Sequence, residues 1–116
     1  MGEGKSYQVI VAKSASIRYR ELVLQYLFEN FSFERATAID EKIIRLAGSL
    51  SVKPYRGRKE KYLSEFSHNF RFILFKETSH LEIKIIYYIS EEKSIVYVTD
   101  FFPTKMDPSR IRDNQG

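Results

Sequence analysis

Leu81-Glu82-Ile83-Lys84-Ile85-Ile86-Tyr87-Tyr88-Ile89-Ser90, a break at Glu91-Glu92-Lys93, and then Ser94-Ile95-Val96-Tyr97-Val98-Thr99-Asp100-Phe101-Phe102 decide the fold of this chain. Both runs are rich in β-branched and aromatic residues, and a three-residue polar break between them suits a hairpin. In the first run Leu81, Ile83, Ile85, Tyr87 and Ile89 alternate with Glu82, Lys84, Ile86 and Tyr88, a period of two that puts one unbroken apolar face toward a core. Phe70 to Lys76, closed by the short polar turn Glu77 to His80, reads as a third strand. The simplest arrangement of the three is an antiparallel meander.

Upstream the period changes. Tyr7 to Ala12 is short, apolar and β-branched, which predicts a first strand. Ile17, Leu22, Val23, Tyr26, Leu27 and Phe31 then recur at helical spacing, with Ser14 or Ser16 available as cap. Asn30 to Ser32 breaks that helix, and Ser32 caps a second whose stripe is Ala36, Ile39, Ile43, Leu46, Ala47 and Leu50. The expected fold is therefore α+β: an N-terminal strand, an antiparallel helical hairpin, then a three-stranded antiparallel meander, with the helices on one face of the sheet.

The chain has 116 residues, 43% of them hydrophobic and 15% aromatic, which is the size of one domain able to bury its own core. That domain is expected over 1–116, with polar tails near 1–5 and 110–116. The absence of cysteine excludes a disulfide framework, a thiolate metal site and a cysteine nucleophile. The amino end shows neither a signal-peptide core nor an apolar run of membrane-spanning length, so a cytoplasmic protein without a membrane partner is expected. Nineteen Lys and Arg against fifteen Asp and Glu give a net charge of +4. The cations Lys53, Arg56, Arg58, Lys59 and Lys61 crowd a window whose only acid is Glu60, which is either a solvated loop or a partner-facing patch.

The second face of the sheet mixes charge with apolar bulk. If Phe70, Phe72 and Leu74 face the helices, then Arg71, Ile73 and Phe75 share the other side with Lys84, Tyr88 and Asp100. Aromatics rimmed by charge suit partner binding, since burial drives association and charge selects the partner. The alternative is that part of this face is core, with Arg71 and Lys84 paired to nearby carboxylates. His68 and His80 are too few for a zinc site, and no metal or cofactor is expected.

The last strand leaves through Phe101-Phe102-Pro103-Thr104-Lys105-Met106-Asp107-Pro108, and the basic window contains Pro54-Tyr55-Arg56-Gly57-Arg58. With these two elements in this order, the span from Tyr7 to Ile111 resembles the RelE/ParE superfamily of bacterial toxin–antitoxin toxins. The resemblance implies a growth-inhibiting toxin neutralised by a cognate antitoxin whose tail folds along it. It implies either of two targets, messenger RNA in the ribosome, as in the RelE branch, or DNA gyrase, as in the ParE branch; a non-toxic binding module that only shares the fold is the third reading. Metal-free RNA cleavage needs a base, an acid and cations for the phosphate. Lys84 stands where the RNase branch carries an arginine on the middle strand, and Lys105 stands in the tail region that carries a second. The tyrosine which that branch places after the last strand has no counterpart within Asp107 to Gly116, leaving Tyr88, His68 or His80 as substitutes. Lys105-Met106-Asp107 parallels the Arg-Met-Asp exit of the ParE branch, which favours a gyrase-directed binder that needs no catalytic groups. On either reading the expected target- or antitoxin-binding residues are Arg58, Arg71, Phe75, Lys84, Tyr88 and Lys105.

Overall fold

A computed structural model describes residues 5–114. Strand β1 (Gln8–Val11) leads into a helical hairpin, and the chain continues through β2 (Arg58–Lys59), β3 (Arg71–Thr78), β4 (Leu81–Ser90) and β5 (Ile95–Pro103). The sheet order is β1-β5-β4-β3-β2, with β1 parallel to β5 and the other neighbours antiparallel. The meander and the helix-covered face agree with the sequence reading, and the two-residue β2 is an addition to it. Among the described residues no helix is long and apolar enough to cross a membrane.

The first helix, α1, joins an α segment (Lys13–Arg18), a π segment (Tyr19–Leu24) and a second α segment (Gln25–Asn30). Its inward side is Ala15, Tyr19, Val23 and Leu27, all buried. These residues are spaced by four, and an ideal α-helix would rotate each step by about 40°. The wider π turn offsets that drift and keeps all four facing the sheet. Leu22, expected in the buried stripe, is consequently 39% exposed. The cap differs as well: Ala12 occupies the N-cap, so Ser14 and Ser16 lie inside the helix. In α2 (Phe33–Gly48) the reading holds, since the Ser32 side chain accepts from Arg35 N–H at 3.1 Å and Ala36, Ile39, Ile43 and Ala47 are buried.

The phase of β3 is the reverse of that expected. Arg71, Ile73 and Phe75 pair with Tyr87, Ile85 and Ile83 and so share the helix face, while Phe72 and Leu74 pair with Ile86 and Lys84 on the other. Both alternating sets of β3 are largely apolar, so composition does not fix the phase; the register to β4, with its irregularity between Lys76 and Thr78, does. A second irregularity, between the Ile86 and Tyr87 pairings, lies in β5 after Val98. It sends Asp100 and Phe102 to the second face, while Val96, Val98 and Phe101 join the helix-side core.

The second face is covered too. Leu63, Phe70, Ile86, Phe102 and Ile111 form a separate buried cluster, with Tyr62, Phe66, Phe72, Tyr88 and Met106 packed against it. The covering layer consists of short 3-10 turns at Lys61–Leu63 and Pro108–Asn114. Residues 110–114 were expected in a polar tail, yet Ile111 is fully buried because it closes this cluster. Of the other expected tail, Lys5 is described and bonds Glu91, and residues 1–4 lie outside the described span.

At the turn between β4 and β5, Glu91 gathers three donors: Lys5 Nζ at 2.7 Å and the hydroxyls of Tyr7 and Tyr55, each at 2.6 Å. These bonds favour the charged carboxylate and lower its pKa from the ordinary 4.5 to about 2. The stabilisation is complete above pH 4.5 and is lost as pH falls toward 2, because the unfolded chain takes up the proton first. Glu91→Gln is therefore expected to flatten the acid limb of the stability curve over that interval, as measured by urea unfolding at successive pH values. An unchanged slope would remove Glu91 from the acid response.

Candidate functional site

Lys84 sits in the middle of β4 on the second face, 18% exposed, with its Nζ 2.9 Å from Oε1 of Glu60. Glu60 reaches that position because the chain leaves β2 and turns back over the sheet: Glu60 N–H donates to the Phe70 carbonyl at 2.8 Å, and Glu60 Oε2 caps the next turn by accepting from Tyr62 N–H at 3.1 Å. The carboxylate is thus fully buried with both oxygens engaged. Lys84 also lies over the Phe72 ring at 4.3 Å and the Tyr62 ring at 5.6 Å. An ammonium held between a buried carboxylate and two rings is charge-balanced and positioned, and little of it faces water.

Further along the same face of β4, beyond Ile86, Tyr88 stacks on His68, with centroids 3.8 Å apart and planes at 8°. Phe70 meets Tyr88 edge-on at 5.4 Å, and Tyr97, its cross-strand neighbour on β5, lies 5.2 Å away. A cleft of about 200 Å³ opens next to this stack, lined in part by Lys59, Lys61, Ser64, His68 and Asn69. Arg58 is exposed and pairs with Phe72, which places it on the same face as Lys84. The structure therefore brings Arg58, Lys84 and Tyr88 onto one face.

It separates the others. Phe75 is buried in the helix-side core because β3 has the opposite phase, so its ring is packed against the protein's own interior. Arg71 lies on the helix face at the sheet margin, where it donates to the carbonyls of Gly57 at 2.9 Å and Tyr55 at 3.2 Å and covers the Tyr55 ring at 5.3 Å. Lys105 stands at the β3–β4 turn, its Nζ 3.3 Å from Nδ1 of His80. Among the described residues no group of three or more His, Cys, Asp or Glu side chains is placed to hold a metal ion.

Two residues essential to this face were not singled out in the sequence. Glu60 appears there only as the odd acid of a basic window, and its burial and its pairing with Lys84 come from the turn that folds back over the sheet. Arg18 is the second. Its Nε lies 2.8 Å from Asp100 Oδ1, its Nη2 donates to the Arg110 carbonyl at 3.3 Å, and its guanidinium lies over Phe102 at 5.3 Å. Since β1 pairs with β5 only as far as Val98, β5 lacks that neighbour beyond it, and Arg18 of the helix layer reaches Asp100 there. Arg18 is 7% exposed and Asp100 fully buried.

No protein-family model matches the chain, and no curated protein matches its sequence. Among solved structures it is similar to the E. coli toxin RelE, in the free state of a double arginine-to-alanine mutant. The likeness covers 94% of this chain and 93% of that chain, with 13% sequence identity and a TM-score of 0.52. Strand, helical hairpin and antiparallel meander thus superpose over nearly the whole length, and the chain has the RelE fold.

Proposed function

We propose that the chain is the toxin of a type II toxin–antitoxin pair and inhibits growth by binding a target, DNA gyrase, rather than by cleaving RNA. The fold and the order of the Pro54 to Arg58 and Lys105 to Asp107 elements support the toxin assignment. The observation that carries the choice of mechanism is the Lys84–Glu60 pair at 2.9 Å. Metal-free cleavage of a phosphodiester requires cations free to meet charge developing on the phosphate. Here the carboxylate of Glu60 already neutralises the ammonium at the relevant position, and Lys105 stands apart at the β3–β4 turn. Binding needs no such convergence, only a surface. The second face offers exposed Arg58, the partly exposed Lys84 and Tyr88, and Leu74, which is 44% exposed. Apolar and cationic surface of this kind suits an acidic antitoxin tail that folds as it binds.

Induction in growing cells, with DNA breaks and message cleavage scored in parallel, tests the reading. Growth arrest with accumulated gyrase–DNA cleavage complexes is expected, and Arg58→Glu is expected to relieve the arrest by about tenfold in surviving cells without changing the melting temperature. Cleavage of translated messages inside codons would replace this reading with a ribonuclease. No arrest at all would leave a binding module built on the same fold.

A further inference from the structure

Away from the second face, the segment between α2 and β2 meets the amino-terminal end of β1 around an open cavity of about 300 Å³, lined by Lys5, Tyr7, Lys53, Pro54, Tyr55 and Arg56. Three of these six residues are cations, and none is an acid. The adjacent acid is Glu91, and its carboxylate is engaged by Lys5 and by both tyrosine hydroxyls. This has two consequences. The hydroxyls of Tyr7 and Tyr55 converge on one oxygen, so each ring is tethered at its tip. Lys5 lies over the Tyr7 ring at 5.1 Å and Arg71 over the Tyr55 ring at 5.3 Å, so it is the opposite face of each ring that a ligand would meet. The charge of Lys5 is balanced within the protein, so the cavity's positive excess comes from Lys53 and Arg56.

Arg56 is a built group rather than a loose surface side chain. Nη1 donates to the carbonyls of Val52 at 2.8 Å, Lys53 at 3.2 Å and Ser49 at 3.4 Å, and Nη2 donates to Ser49 Oγ at 2.6 Å. A guanidinium carries five N–H donors, and this pattern leaves Nε–H and one Nη2–H for a further acceptor. Lys53 is held in the left-handed region, with φ 52° and ψ 55°. A lysine gains nothing from that conformation, and a residue before proline ordinarily takes an extended one. A strained, exposed cation between the 3-10 turns Ser49–Ser51 and Pro54–Arg56 is the kind of backbone outlier that collects at ligand sites.

We infer that this cavity binds a nucleoside phosphate, with the base stacked on the tethered tyrosine rings and the phosphate bound between Lys53 and Arg56. A phosphate matches the fork of the arginine and the point charge of the lysine, and a base matches aromatic surface whose polar tips are already occupied. The inference is independent of the proposed target. The same chemistry is offered by a free nucleotide and by one nucleotide of a single strand, and the experiment separates them.

Fluorescence anisotropy of a labelled twelve-residue oligoadenylate, titrated with the full chain at low salt, provides the readout, with adenosine monophosphate as competitor. Lys53→Glu and Tyr55→Leu are each expected to weaken binding by about tenfold, the range of one lost stacking or phosphate contact. Lys13→Glu, the same charge change on an exposed residue at the start of α1, is expected to weaken it less than about twofold. Displacement by the monophosphate assigns the site to a free nucleotide, and resistance to it assigns the site to a strand. Equal losses for Lys53→Glu and Lys13→Glu, binding untouched by either cavity variant, or binding of neither probe would overturn the inference. Circular dichroism of each variant confirms that the comparison is made between folded proteins.

Discussion

Arg18→Ala is expected to lower the unfolding free energy by about 3–5 kcal/mol, one of the two largest losses expected here from a single replacement. Asp100 is fully buried and its carboxylate has the Arg18 Nε at 2.8 Å. Removing the guanidinium takes away the cation that balances a buried negative charge in a place water does not reach, and also empties the volume above Phe102. It removes the bond to the Arg110 carbonyl as well, so the Pro108–Asn114 turn loses an anchor. The paired replacement Arg18→Met with Asp100→Leu leaves no charge to strand and is expected to recover most of the loss. Urea unfolding of the single and double variants checks both statements. A single-variant loss below about 1 kcal/mol would mean that Asp100 finds solvent or another partner when Arg18 is gone.

Gly57→Ala is expected to cost about 3 kcal/mol, from an added methyl with nowhere to go. A Cβ at position 57 would lie 2.1 Å from the Tyr87 hydroxyl oxygen and 2.8 Å from the Phe72 carbonyl oxygen. The first of these atoms cannot simply swing aside, because Tyr87 is buried in the core and its hydroxyl donates to the Pro54 carbonyl at 2.6 Å. The second belongs to the backbone of β3 where it pairs with β2. Burial already raises the Tyr87 pKa, so its hydroxyl stays protonated and keeps donating. Tyr87→Phe alone is expected to cost about 1–2 kcal/mol for the lost buried bond. In that background Gly57→Ala should cost markedly less than in the native chain, since one of its two clashing atoms is absent. Strict additivity of the two replacements would show that the β3 carbonyl, not the tyrosine, sets the cost.

How far the fold could be read from the residues depends on where the controlling interaction lies. The first strand, the Ser32 cap, the α2 stripe and the core face of β4 were legible because each is settled by neighbours within a few residues. The phase of β3 was not, since Phe70, Phe72 and Leu74 and the alternate set Ile73 and Phe75 are equally apolar and only the pairing with β4 chooses between them. That single choice misplaced Arg71 and Phe75. The helical stripe of α1 failed at Leu22 for a different reason: a spacing of four looks like α-helix in any short window, and the π turn shows only over the full length of the run. At the site, Lys84 and Tyr88 could be placed together because they are two turns of one pleat apart. Their partners could not, because Glu60 and His68 arrive from the layer laid over the sheet. The basic window was visible as charge, whereas the cavity at its amino-terminal end depends on Tyr7 and Glu91, which are remote in sequence and meet only in the folded chain.

The π segment makes chain length a constrained quantity in the first helix, alongside the chemistry of its buried side. Substitutions at the outward positions of Tyr19–Leu24 change what the helix displays, but deleting one residue there would turn everything upstream by about 100°. Arg18 would then swing away from Asp100, and β1 would be pulled toward its neighbour by one rise of the helix. Tyr19 and Val23 must stay apolar and large to fill the core, whereas the outward positions are free to vary; a residue gained or lost here must re-register strand, helix and the Arg18–Asp100 pair together.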